Sequence, residues 1–181
     1  MSKLLVVVDM QNDFIDGALG TKEATGIVDN VIEKIRKYET EKEPIIFTMD
    51  THRDNYLDTQ EGQNLPVKHC IAHTQGWEIH SRIKEAFDLN KYKIYEKVTF
   101  GSSELAKDLL NGVYHDVSEV ELVGICTDIC VITNAMLFKT FLPEVPVFVD
   151  AACCAGVTPE SHENALKAMK MCQIHIRNFD S

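Results

Sequence analysis

The run Val123-Gly124-Ile125-Cys126-Thr127-Asp128-Ile129-Cys130-Val131 decides how the rest of the chain is read. An apolar, β-rich segment from Val120 to Ile125 ends in a polar turn, and Val131, Asn134-Ala135 and Phe138 then follow at helical spacing. A cysteine at such a strand-to-helix turn lies beside the first backbone N–H groups of the helix. Those donors and the helix dipole favour a thiolate, which makes Cys130 a candidate nucleophile. The competing reading is a small buried hydrophobe, the common role of a free cysteine. Cys126 and Cys130 are spaced CxxxC rather than CxxC, so a redox pair has little support from spacing.

Outward from this turn, strand-like and helix-like segments alternate. Leu4 to Asp9 and Pro44 to Asp50 are apolar runs closed by carboxylates, the pattern of strands buried on both faces. Tyr92 to Lys97, Val145 to Asp150 and Gln173 to Arg177 read as further strands. Between them, Ile27, Val31, Ile35 and Tyr38 mark a helix over roughly Thr25 to Thr40, and Trp77 to Phe87 a short one. Ser102 or Ser103 caps another that runs to about Leu110, and Thr158-Pro159-Glu160-Ser161 opens the last. Met10 to Gly17 reads as a loop, and Thr51 to Gly76 as a long polar loop of the kind that carries function. The order predicts one α/β domain, a mainly parallel sheet with right-handed crossovers. In such sheets ligands sit beyond the carboxyl ends of the strands, where Asp9, Asp50, Lys97 and Cys130 all fall.

Bulk composition narrows the function. With 181 residues, 45% hydrophobic and 25% charged, the chain suits a globular protein with a single sizeable core. A formal net charge of −10 disfavours nucleic acid and anionic membranes as partners. Met1-Ser2-Lys3 leads straight into a strand, which leaves no place for a secretory signal, and six scattered cysteines suggest reduced thiols in a cytoplasmic setting. No phosphate-binding glycine motif and no basic aromatic patch is present.

An acid, a lysine and a cysteine on three strand ends can form one site, the acid taking the thiol's proton and the lysine stabilising charge. In the long loop, Asp50, His52, Glu61 and His69 are a plausible mixed O/N ligand set for zinc, iron or manganese, although histidines in polar loops are commonly just solvated.

Four motifs, in order, resemble those of the isochorismatase-like cysteine hydrolases, above all their nicotinamidase branch. They are Val8-Asp9-Met10-Gln11-Asn12-Asp13-Phe14, Asp50-Thr51-His52, Lys97-Val98-Thr99-Phe100-Gly101-Ser102, and Gly124 to Val131. The resemblance implies a three-layer, Rossmann-like α/β fold with a six-stranded sheet and helices on both faces. It makes Cys130 the nucleophile, Asp9 its acid/base and Lys97 the third member of a triad. It also implies a cis peptide before Cys126 and an oxyanion hole from the N–H groups of Cys126 and Cys130. Asp50, His52 and His69 match metal ligands, and Glu61 is preferred over Asp58 as the fourth. The implied reaction is hydrolysis of nicotinamide to nicotinate and ammonia, a step of NAD salvage, with the pyridine ring anchored by one divalent metal, zinc first. A small-molecule amide is the expected partner, and a homo-oligomer is compatible with the family.

Phe14 and Phe100 match pocket aromatics. Leu65 stands nearest to where an aromatic residue usually sandwiches the ring, and His73 has no family role. Cys70, Cys153, Cys154 and Cys172 read as structural, and His80, His115, His162 and His175 carry no signal. Two alternatives remain at this stage: a metal-free cysteine hydrolase of another amide or carbamoyl compound, and a non-catalytic thiol redox or assembly module.

Overall fold

The structure is a computed structural model describing residues 2–179. Met1, where the leader-free reading of the amino terminus begins, lies outside the described residues. Six strands form one all-parallel sheet: β1 (Ser2–Val8), β2 (Ile45–Asp50), β3 (Lys93–Lys97), β4 (Val117–Ile125), β5 (Val147–Ala155) and β6 (His175–Arg177), in the order β3-β2-β1-β4-β5-β6. The chain steps outward from β1 to β3, then returns to place β4 on the other side of β1. That reversal opens a crevice beyond the carboxyl ends of β1 and β4.

The alternation of side chains along each strand divides the core in two. Leu5 and Val7 of β1 join Val123 and Ile125 of β4 in one layer, beneath α3 (Val28–Glu41) and α5 (Ser81–Ala86). Leu4, Val6 and Val8 join Val120 and Leu122 in the other, which is covered by α6 (Ser103–Leu110), α7 (Ile132–Phe141) and α8 (Pro159–Met171). Strands buried on both faces have no polar side to show water, which is why β1 from Leu4 reads as an unbroken apolar run and β2 is broken only by Thr48 before its closing Asp50. The helix caps follow the sequence reading: Ser102 accepts from the Leu105 N–H at 3.2 Å, and Thr158 with Ser161 forms a capping box with Pro159 behind it.

Several boundaries differ from the sequence reading, each for a local reason. Met10 to Gly17 contains a single helical turn, α1 (Asn12–Ile15), too short to show periodicity. The helix expected from Thr25 is two, α2 (Lys22–Gly26), capped by Thr21, and α3, which meet at Ile27. The long loop holds a 3₁₀ turn at Tyr56–Asp58 and α4 (Gln60–Asn64), capped by Thr59. Only Ser81–Ala86 of the Trp77 to Phe87 segment is helical, because Ile79 is drawn into an antiparallel bridge with Gln11. Asp150 does not end its strand; β5 runs on to Ala155 and carries Asp150 in its middle, where Lys34 meets it at 2.7 Å.

Candidate active site

The nucleophile turn begins where β4 packs tightly against the end of β1. Gly124 has φ +121°, and a Cβ there would lie 2.1 Å from the Val8 carbonyl oxygen, so only glycine fits. The Ile125–Cys126 peptide is cis. Residues Thr127–Val131 then form a π-helical turn, and α7 starts only at Ile132. Cys130 therefore sits inside a widened turn ahead of α7 rather than at the open N-terminus of a regular helix. The Cys126 carbonyl accepts from the N–H groups of Ile129 and Val131, at 3.1 and 3.0 Å. Among the described residues, the N–H groups of Cys126 and Cys130 donate to nothing outside their own turn. Fully buried Asn134 on α7 ties this turn to the loop after β3: it donates to the carbonyls of Cys130 (2.8 Å) and Phe100 (3.1 Å) and accepts from Ser102 N–H (3.0 Å).

Three strand ends bring Asp9, Lys97 and Cys130 together. Lys97 Nζ lies 2.7 Å from Asp9 Oδ2, 3.4 Å from Cys130 Sγ, 3.3 Å from Asp50 Oδ1 and 3.1 Å from the Thr99 carbonyl. Asp9 Oδ1 accepts from the Thr48 hydroxyl at 2.6 Å. Its Oδ2 is ion-paired to the lysine.

Burial dominates the electrostatics. It pushes the Cys130 thiol well above its ordinary value, reinforced by the negative charge of Asp9 and opposed by Lys97. Burial thus works against the thiolate that a helix dipole favours, and a base at hand offsets it. Burial also raises the Asp9 carboxyl, against the pull of Lys97, which makes it a better proton acceptor than a free aspartate. For Lys97, burial disfavours the charge, but Asp9, Cys130 and Asp50 outweigh it and hold the ammonium well above its usual range. Cys126 is pushed up to about 12 by burial and stays a thiol.

A second cluster adjoins the first through Asp50. One ligand atom from each of Asp50, His52, Glu61 and His69 lies within 4.8 Å of the others. The N···O separations are 2.9 Å (His52–Asp50), 3.5 Å (His52–Glu61), 3.5 Å (His69–Asp50) and 3.8 Å (His69–Glu61). Donors about 2.0–2.1 Å from a tetrahedral metal would be roughly 3.3 Å apart, so the set is close to that size. His69 Nδ1 is engaged with the Val67 carbonyl at 2.8 Å, which turns Nε2 towards the cluster, the usual outer support of a ligating histidine. Asp58, the competing carboxylate, is exposed on its 3₁₀ turn and outside the group. Burial works against ionisation of Asp50, but the hydrogen bonds from His52 and His69 and the charge of Lys97 prevail and hold its carboxyl below the usual range.

Both clusters reach one cavity of about 250 Å³. Its walls are apolar, with Phe14, Leu19, Leu65, Phe100, Ile129 and Val157 among them, while Cys130, Cys126, Asp50, Glu61 and His69 supply its sulfur and polar atoms. Asp9, Lys97 and His52 lie behind this lining. Leu65 and Phe100 are 39% and 44% exposed and form part of the rim, and Phe14 sits against the His69 ring. His73 is an exposed residue set edge-on to Trp77.

Residues 3–178 match the family model of the isochorismatase domain. The chain belongs to the isochorismatase family. Among relatives of this isochorismatase-family hydrolase, the nicotinamidase/pyrazinamidase of Mycobacterium tuberculosis is 28% identical over 185 residues, covering 96% of this chain and 97% of that one. The structure of nicotinamidase/pyrazinamidase from Bacillus subtilis superposes with a TM-score of 0.84 at 25% identity, over 98% of this chain and 100% of the other. Pyrazinamidase from Pyrococcus horikoshii in complex with zinc gives 0.82 at 31% identity, over 99% and 100%. Among the described residues no helix is long and apolar enough to cross a membrane.

Some participants carried no recognisable sequence signal of their role. Gln11 binds both backbone polar groups of Asp50, and His162 shares a 2.7 Å hydrogen bond with Thr127 at the start of the nucleophile turn. Thr48, which donates to Asp9, was also passed over, although a polar residue inside an otherwise apolar buried strand is a signal. The structural reading of Cys70, Cys153 and Cys154 fits their burial, whereas Cys172 is exposed.

Proposed function

We propose that this protein hydrolyses nicotinamide to nicotinate and ammonia through a thioester on Cys130. The observation that carries the reading is Lys97, whose ammonium touches both the Asp9–Cys130 pair and, through Asp50, the cluster of His52, Glu61 and His69. An acid–thiol pair alone would suit many amides. A four-donor cluster opening into the same small apolar cavity suits an amide on a flat ring with a nitrogen donor. The nicotinamidase and pyrazinamidase relatives support that choice, as does the zinc in the Pyrococcus horikoshii structure.

In the reaction, Asp9 Oδ2 takes the thiol proton and the sulfur attacks the carboxamide carbon. The oxyanion is held by the N–H groups of Cys126 and Cys130, and Lys97 steadies the negative charge that moves between carboxylate and sulfur. The C–N bond breaks as Asp9 returns its proton to the nitrogen, and ammonia leaves. Water then gives a proton to Asp9 and attacks the thioester; Asp9 re-protonates Cys130, and the product acid loses its remaining proton to water or ammonia and departs as nicotinate. Asp50, His52, Glu61 and His69 would hold a divalent ion whose chemistry is to bind the ring nitrogen. The apolar walls, Phe14 and Phe100 with Leu65 at the rim, exclude water and press on the ring faces.

The test is ammonia release from nicotinamide by purified protein, before and after chelator, with metal content measured on the same sample. Turnover that chelator removes and about one metal per chain would support the reading. Metal-independent turnover of other amides, with nicotinamide untouched, would replace it with a metal-free amide hydrolase.

A further inference from the structure

Asp9 is gripped from three sides in a backbone conformation it would not choose alone. Its φ is +47°, in the left-handed region that non-glycine residues occupy only when their surroundings hold them there. The Asp9 N–H donates to the Thr48 carbonyl at 3.1 Å, and the Asp9 carbonyl accepts from the Gln11 N–H at 2.7 Å. The Thr48 hydroxyl donates to Oδ1 at 2.6 Å. Thr48 thus holds Asp9 by main chain and side chain together, with no surface of its own exposed to solvent.

We propose that Thr48 is a positioning residue for proton transfer, assigning the two carboxylate oxygens of Asp9 to different tasks. A threonine hydroxyl has one proton to donate, and here Oδ1 receives it. Oδ2, which takes nothing from Thr48 and is ion-paired to Lys97 at 2.7 Å, is left as the acceptor for the Cys130 proton. When the S–H bond breaks, its electron pair stays on sulfur and an O–H bond forms at Oδ2. Oδ1 becomes the carbonyl oxygen of the acid and still accepts the same Thr48 hydrogen bond. The proton later leaves Oδ2 for the departing nitrogen with that bond again intact. The Thr48 bond does not have to reorganise during either transfer, which is what preorganisation means for an acid–base group.

This rests on the acid–thiol reading above, and the test separates the two by scoring the thiol without an amide. Cys130 is alkylated with iodoacetamide at neutral pH and followed by mass spectrometry, with exposed Cys172 as the internal reference. Thr48→Val keeps the shape and removes the donor; Thr48→Ser keeps the donor. The expected result is a Cys130 alkylation rate in Thr48→Val roughly 10- to 100-fold below wild type, the range for removing a group that orients a reacting one. Thr48→Ser recovers most of the rate, and Cys172 is unaffected in both. With nicotinamide, kcat falls in parallel with alkylation while KM stays within about twofold, a split that a loosened fold does not produce.

Wild-type alkylation in Thr48→Val, or a Thr48→Ser variant as slow as Thr48→Val, would overturn the proposal. The second result would make the methyl group, not the hydroxyl, the contribution. Should Thr48→Val fail to melt cooperatively, Thr48→Ala against Thr48→Ser carries the same comparison, since they differ by one oxygen. Absence of nicotinamide turnover together with a Thr48-dependent alkylation rate would sink the substrate and leave this inference standing. A wild-type Cys130 that iodoacetamide does not alkylate at all in the folded protein would sink the triad and the inference together.

Discussion

Replacing Gln11 by leucine should damage the protein far more than one buried amide usually implies. Gln11 has no exposed surface, and its side chain serves three backbone groups. It accepts from the Asp50 N–H at 2.7 Å and donates to the carbonyls of Asp50 and Trp77 at 2.8 and 2.7 Å. Leucine fills similar space and satisfies none of them. A buried backbone group left without a partner costs about 1–3 kcal/mol. Taking the low end for three groups, because the loop around Trp77 can shift, the loss is about 3–5 kcal/mol. For a domain of this size that corresponds to a fall in Tm of roughly 10 °C, at about 2–4 °C per kcal/mol. Circular dichroism melting of wild type and Gln11→Leu measures it directly. Asp50 carries both a Lys97 contact and a place in the donor cluster, so zinc affinity measured by chelator competition should weaken by roughly 10- to 100-fold as well. A melt within about 2 °C of wild type would refute the reasoning, since three unsatisfied backbone groups cannot cost less than about 1 kcal/mol.

Other perturbations separate the two clusters and probe the far side of the sheet. Cys130→Ala should abolish nicotinamide turnover while metal content, read by atomic absorption, stays near one per chain; retained activity would exclude the covalent route. His52→Ala should lose metal and raise KM for nicotinamide, and an unchanged KM would remove the anchoring role of the cluster. Lys34 contacts Glu121 at 2.8 Å and Asp150 at 2.7 Å with 14% of its side chain exposed, so Lys34→Met should cost roughly 2–4 kcal/mol in urea unfolding at pH 7. Although burial opposes ionisation of Glu121 and Asp150, their hydrogen bonds to Lys34 win and both carboxyls lie below their ordinary values of 4.5 and 3.8. A depressed carboxyl stabilises above its unfolded value and loses that contribution as pH falls towards its folded value. Wild type should therefore weaken from about pH 4.5 downward, and Lys34→Met should show a flatter profile between about pH 5 and 3. Equal slopes for the two proteins would place the acid sensitivity elsewhere.

The nucleophile turn, the apolar strands and the carboxylates closing β1 and β2 were legible from residue order alone. Periodicity over five or more residues is a local property that survives any tertiary arrangement, and motif order placed Asp9, Asp50, Lys97 and Cys130 on strand ends. Local signals failed where neighbours from distant sequence made the decision. Ile79 is held extended by Gln11, and Asp150 lies mid-strand because Lys34 and Asn178 hold its carboxylate there. A helix end favours a Cys130 thiolate, whereas burial and the charge of Asp9 raise the thiol, a balance that residue order does not show.

The sequence by itself determined an alternating α/β chain, the residue types available for chemistry and their attachment to strand ends. These follow from side-chain period, capping and turn chemistry, which act over a few residues. Tertiary structure decided which strand ends meet. Only the β1–β4 reversal brings Asp9 beside Cys130, and the fold of the long loop brings Glu61, already preferred to Asp58 from the family motifs, within reach of Asp50, His52 and His69. The roles of Thr48, Gln11 and Asn134 likewise depend on contacts between residues about 30 to 66 positions apart. Hydrogen bonds act over about 3 Å in space and have no memory of distance along the chain.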